Sequence, residues 1–273
     1  MSFKGQAPRP EKPTRTSKAL ASSVIGLVLA IGVTYLFGLR HHDAIDGGFP
    51  EARRPIISWI GYFCLAYITL TFYLRYKSTG GYVLHELLWG CNYALYTFAL
   101  GCLIDMPVLC GAALATVTVD QLMWYVDCSA YLLTGKFPVG VARYMVWPEL
   151  SLTRKLTSFH HLWFLPLGLY ALRGVGLPSG SFRLACIACS ILIVYARFNT
   201  PFHVKVKGEK EPQYLNINCS HAFWKSVKLP LIDVHMFDHG NPVIFLSYMI
   251  LFCNFALNLP CFLLLRQVAA LVC

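Results

Sequence analysis

The side chains of a nucleophilic active site occur together in this chain as Cys91, His85, Glu86, Asp120 and His160. A thiol, an imidazole that takes its proton and a carboxylate that orients the imidazole are the parts of thiolate catalysis. On an ideal helix Cys91 lies about 120° from His85, because successive residues turn by about 100°. A base from another helix, His160, therefore serves it better. A thiol in apolar surroundings resists ionisation, which makes a neighbouring imidazole a requirement of the chemistry. This reading needs no cofactor. The plainer explanation of Cys91 is small apolar filler beside Asn92, as most of the eleven cysteines are.

A metal centre is the competing chemistry. The run HELLW starting at His85 opens like a zinc-protease motif, but Trp89 stands where the second histidine must be. His85, His160, His161 and Asp120 could still ligate zinc from three helices and leave one position open for water. Adjacent helical residues diverge by about 100°, so His160 and His161 can both be ligands only where the helix is broken. Cys186 and Cys189 have a CxxC spacing without a second pair. The run DVHMFDHGN, with Asp233, His235, Asp238 and His239, reads as solvated loop.

These residues need helices to hold them. Of the polar groups in apolar runs, one set falls at His85, Trp89 and Asn92, spaced i, i+4 and i+7, and a second repeats that interval at Asp120, Trp124 and Asp127. A third begins with His160 and reaches Trp163 one turn later. A charged side chain inside a membrane span costs about 2.5 to 3.5 kcal/mol, so each needs a partner, a cavity or a task. Gathered at one depth on three helices, they predict a polar cavity lined by Trp89, Asn92, Trp124, Asp127 and Trp163.

The frame that carries them follows from composition. At 273 residues, 56% hydrophobic and 13% charged, the chain has about half the charge of an ordinary soluble domain and reads as an all-α polytopic membrane protein. Seven apolar runs are candidate spans: Ala19 to Leu39, Ile56 to Leu74, Tyr82 to Ile104, Met106 to Val126, Leu156 to Leu172, Phe182 to Phe198 and Pro242 to Leu265. With the N-terminus in the cytoplasm, seventeen Lys and Arg fall inside and six outside, the bias insertion produces. The net charge of +10 is thereby an orientation signal, and membrane lipids rather than nucleic acid are the expected partners. A basic cytoplasmic tail (1–18) precedes a single membrane domain (19–265) with cytoplasmic segments 127–155 and 199–241 and a short C-terminal tail (266–273). The tail reads as the flank of a retained anchor, with an organellar transit peptide as the alternative. Asn218-Cys219-Ser220 is a glycosylation sequon that this orientation keeps in the cytoplasm.

The runs HELLWGCNYALYTFALG, VDQLMWYVD, SFHHLWFLP and LNIN, spanning Leu84 to Ser220, resemble a group of uncharacterised bacterial multi-pass proteins with an H-E-x-L-W-x-C-N motif. In layout they are similar to the seven-helix androgen-induced fatty-ester hydrolases and related membrane acyltransferases. That resemblance implies Cys91 as nucleophile, in place of the family's Thr, His160 as base, and Asn216 or Asn218 as a loop element. The expectation is a hydrolase or acyltransferase for lipid acyl groups, with a site in the cytoplasmic leaflet. A transporter or structural subunit that uses intramembrane His and Asp for proton relay or packing is the non-enzymatic alternative.

Overall fold

The computed structural model describes residues 16–41, 47–148, 150–204, 213–224, 233, 238 and 240–272. The basic tail as far as residue 15, the KVKGEKEP cluster, His235 and His239 lie outside them. The described chain is almost entirely helical: α1 (Thr16–His41), α2 (Arg54–Thr79), α3 (Gly90–Leu103), α4 (Pro107–Thr134), α5 (Leu152–Leu156), α6 (His160–Ala171), α7 (Ser181–Asn199), α8 (Pro242–Leu251) and α9 (Leu259–Val272). Strand pairing among these residues is confined to β1 (His203–Val204) antiparallel to β2 (Gln213–Tyr214).

Among the described residues, five stretches are long and apolar enough to cross a bilayer: Thr16–Arg40, Glu51–Ser78, Pro107–Thr134, Ser181–Asn199 and Pro242–Leu271. The last runs through α8, a π-helical turn (Phe252–Asn258) and α9. Their outward faces keep large apolar side chains uncovered, among them Val28 (61% exposed), Trp59 (74%) and Leu263 (50%). So much contiguous apolar surface is stable only in lipid, and the chain is an integral membrane protein.

The other two apolar runs do not form continuous α-helices. The run from Tyr82 opens within a 3₁₀ helix, Gly81–Leu88; Trp89 then turns extended (ψ 137°) and α-helix restarts at Gly90. His85, Trp89 and Asn92 therefore do not share one α-helical face, since 3₁₀ residues advance by about 120° and the extended residue resets the phase. The run from Leu156 is divided between the short α5 and the twelve residues of α6. At 1.5 Å per residue α3 is about 21 Å long and α6 about 18 Å, both short of a hydrocarbon core of about 30 Å.

Local chemistry sets the boundaries. Proline occupies the first turn of α2, α4 and α8, where its missing N–H costs no bond. α4 stops on Gly135 in the left-handed region (φ 70°), and Asn241 caps α8 by accepting from Val243 N at 2.9 Å. α4 is the central element and packs against α3, α6, α7 and α9. At the Asp105 end, the Asp105 carboxylate accepts from Phe49 N (2.7 Å) and pairs with Arg54 (3.0 Å), while Arg53 donates to the terminal carbonyls of α6. The polar cluster described next lies away from that end, on the second half of α2, midway along α4 and at the start of α6.

Candidate functional site

The break at Trp89 frees main-chain groups that a continuous helix would pair, and side chains take them up. Asn218 Nδ2 donates to Leu88 O (2.7 Å) and its Oδ1 accepts from Gly90 N (2.9 Å), so one amide spans the gap. Asn92 Nδ2 donates to Glu86 O at 2.6 Å. Cys91 consequently sits in the first turn of α3, the end where the helix dipole favours negative charge.

α6 is brought to α4 by a close approach. A Cβ on Gly168 would come within 2.3 Å of Leu114, so only glycine permits the contact. Two turns away on both antiparallel faces, His161 Nδ1 meets Gln121 Nε2 at 3.0 Å, and the His161 ring stacks on Trp124. His160 opens α6, and its Nδ1 donates to Thr157 O at 3.1 Å. Tyr67 from α2 donates to the same carbonyl at 3.0 Å, with its ring edge against Trp163. One ring nitrogen of each histidine and the Cys91 sulfur all lie within 4.8 Å of one another. The two rings lie 4.1 Å apart, tilted by 34°, although both residues belong to α6.

Beneath this trio is a buried ion cluster. Glu86 is held on one oxygen by Arg75 Nη1 (2.9 Å) and on the other by Arg154 Nη2. Arg75 also donates through Nε to Thr157 Oγ1 (2.8 Å) and through Nη2 to Ser158 Oγ (3.2 Å), and Arg154 donates to Tyr82 (3.0 Å). Glu86 thus fixes two arginines that in turn fix the Thr157–Ser158 turn ahead of His160. The Tyr144 phenol, from the segment after α4, lies beside Ser158 and Trp124, and burial raises its pKa.

The remaining sequence candidates fall around this core. Asp120 is exposed, and its charge is felt at Cys91, Cys219, Cys253 and Cys261. It forms no hydrogen bond or ion pair among the described residues. His85 is buried with Nδ1 unpartnered, outside the trio. Trp89 is turned to Trp224 (5.7 Å), away from Trp124 and Trp163, which border the histidines.

Asn216 and Asp127 hold loops. Asn216 Oδ1 accepts from His221 N (3.0 Å), and its Nδ2 donates to Tyr214 Oη (2.6 Å) and Ala222 O (2.7 Å). Asp127 accepts from Val139 N (2.8 Å), Gly140 N (3.1 Å) and Ala142 N (2.9 Å), folding the segment after α4 back towards the site. Asp127→Ala is expected to cost about 2 kcal/mol and to release that segment. Limited proteolysis should then cut between Gly135 and Tyr144, and a cleavage pattern like that of the unaltered protein would show that Asp127 does not anchor it.

His221 supplies a pH response in the same loop. Burial pushes its pKa down to about 4, with Nε2–H donating to Thr200 O at 2.9 Å. A base whose folded pKa lies below its unfolded value of about 6.5 favours unfolding once protons are available. Its neutral form is free of penalty above pH 6.5, and stability declines as pH falls from there through about 4. Thermal unfolding across that window should show the decline, and His221→Phe should flatten it.

Sequence reasoning did not single out Tyr67, Arg75, Tyr144 or Arg154 as site residues, and it noted Gln121 only as one of the polar groups of the fourth apolar run. A signal existed for α2: Tyr67, Thr71 and Arg75 recur every fourth residue, a polar stripe in an apolar helix. Nothing in spacing pointed to Tyr144, which arrives through a loop. Comparison of the chain with protein-family models, with curated proteins and with solved structures finds no match.

Proposed function

We propose that this protein is a membrane-embedded hydrolase or acyltransferase that acts on a lipid acyl ester at the Cys91–His160–His161 centre. The observation that carries the reading is the convergence of a thiol and two imidazoles within 4.8 Å, with His160 Nε2 buried and unpartnered. Because His160 Nδ1–H is committed to Thr157 O, Nε2 presents its lone pair, the form a general base or a metal ligand requires. Trp163, Phe63 and Tyr67 form an apolar wall beside the centre on which an acyl chain could lie.

The charge bias supports seven crossings with the N-terminus inside, α3 and α6 being the shorter, broken ones. Broken helices are tolerated at membrane depth where protein satisfies their main chain, as Asn218 does for Leu88 and Gly90. The centre then belongs to the cytoplasmic leaflet. The layout resemblance to the androgen-induced fatty-ester hydrolases supports the same substrate class.

Two nucleophiles fit. In one, His160 takes the Cys91 proton, the thiolate displaces the lipid alcohol to form a thioester, the proton goes to the departing alkoxide, and water or a second alcohol releases the acyl group. In the other, Cys91, His160 and His161 would hold a metal that would supply an activated water, and the presence of His161 favours it. The test is mass spectrometry of vesicles of mixed phospholipids and acylglycerols incubated with the purified, reconstituted protein. Release or exchange of acyl chains is expected; no acyl turnover in any lipid class would remove this function.

A further inference from the structure

We infer that Cys91, His160 and His161 form a mononuclear site for a transition-metal cation of the zinc class. This rests on the proposed function only for what the metal would do, and the site itself stands on geometry. Three points no more than 4.8 Å apart have a common centre within about 2.8 Å of each, against metal–sulfur and metal–nitrogen bonds of about 2.3 and 2.0–2.1 Å, so small side-chain rotations close the shell. One thiolate and two imidazoles are a soft-to-borderline donor set, which selects zinc and its neighbours over magnesium or calcium.

The surroundings are those of metal-binding histidines, whose second ring nitrogen usually donates to a carbonyl or carboxylate. His160 does so through Nδ1–H to Thr157 O, a carbonyl held further by Tyr67, and its Nε2 is left buried and unpartnered. His161 Nδ1 meets the Gln121 amide, whose Oε1 is also buried without a partner. A half-turn of that amide exchanges two near-isosteric groups, gives His161 Nδ1–H a carbonyl acceptor and frees the other ring nitrogen for the metal. Without a cation, two neutral imidazoles face each other 4.1 Å apart for no purpose that a single general base would serve.

Charge agrees. A dipositive ion with one thiolate leaves a single positive charge, and Asp120, which has no ion pair among the described residues, couples electrostatically to Cys91 and supplies the opposite one. Glu86 does not serve here, because both its oxygens are taken by arginines. Three protein ligands leave a fourth position for water, the arrangement of catalytic rather than structural sites. Where the lipid-ester reading holds, a metal there would make that water the nucleophile: its oxygen would add to the acyl carbon as one proton leaves to solvent, the ester bond to the alcohol would break, and the remaining proton would pass to the alkoxide, giving carboxylate and alcohol.

The experiment uses the full-length protein in detergent. Elemental analysis is expected to find about one zinc per chain, and chelation followed by cobalt(II) should produce a thiolate-to-cobalt charge-transfer band. X-ray absorption of the cobalt form should show one sulfur and two imidazole nitrogens, a readout that needs no variant. Cys91→Ser should abolish the band while Cys253→Ser keeps it, and Gln121→Leu should weaken zinc affinity about 10- to 100-fold. A folded protein with no bound zinc and no cobalt band overturns the site, as does a band that survives Cys91→Ser. Stoichiometric metal without acyl turnover keeps the site and removes the lipid-ester function; acyl turnover by protein that binds no metal removes the site and keeps that function.

Discussion

Glu86→Gln is expected to lower stability by about 3 to 5 kcal/mol, the usual cost of stripping one partner from a buried ion pair. The Glu86 side chain is 2% exposed and that of Arg75 8%, so water cannot replace the lost charge at Arg75. The consequence propagates along named bonds. Arg75 holds Thr157 and Ser158, Thr157 O orients His160, and Arg154 ties α5 to the 3₁₀ helix through Glu86 and Tyr82. Thermal unfolding of the detergent-solubilised variant should show a large drop in Tm, with metal affinity or acyl turnover falling in parallel. Glu86→Leu combined with Arg75→Leu should recover part of the loss, because a well-packed apolar pair often matches a buried ionic one. An unchanged Tm in Glu86→Gln would mean that the cluster is not the anchor of this end of the bundle.

His160→Ala is the second large effect and falls on function. Removing a general base typically costs about 10²- to 10⁴-fold in rate, and removing one of three metal ligands is at least as damaging. Acyl turnover should therefore fall by about 100-fold or more, while Tyr67→Phe, which loses one hydrogen bond to Thr157 O, should fall much less. The pair separates the imidazole itself from its support. The result that sinks the assignment is turnover in His160→Ala equal to that of the unaltered protein, measured on variants that reconstitute to the same level.

How much of this was legible beforehand varies residue by residue. Hydropathy alone finds α1, α2, α4, α7 and the α8–α9 stretch, because each must present an apolar surface about as long as the bilayer is thick. It also finds the runs that hold α3 and α6, but not their breaks. Trp89 leaves the helix only because Asn218, well over a hundred residues later, satisfies the main chain there, and no window of local sequence contains both. The stripe of His85, Trp89 and Asn92 fails for that reason. The stripe on α4 is continuous, yet Asp127 turns to backbone N–H groups and Gln121, rather than Asp120, meets a histidine.

Composition, hydropathy and residue type determine on their own that this is a helical membrane protein with a few costly polar side chains among its spans, since transfer into lipid depends on side-chain chemistry and not on partners. Tertiary structure decides what those side chains are for. His160 and His161 should diverge on a regular helix, yet their rings meet, with His160 held on the Thr157 carbonyl and His161 on the Gln121 amide of α4. Glu86 has the credentials of a catalytic acid in the sequence, and in the fold Arg75 and Arg154 occupy both of its oxygens. Which polar groups meet is a property of long-range contacts, and those are fixed by helix breaks and close approaches that one-dimensional spacing does not record.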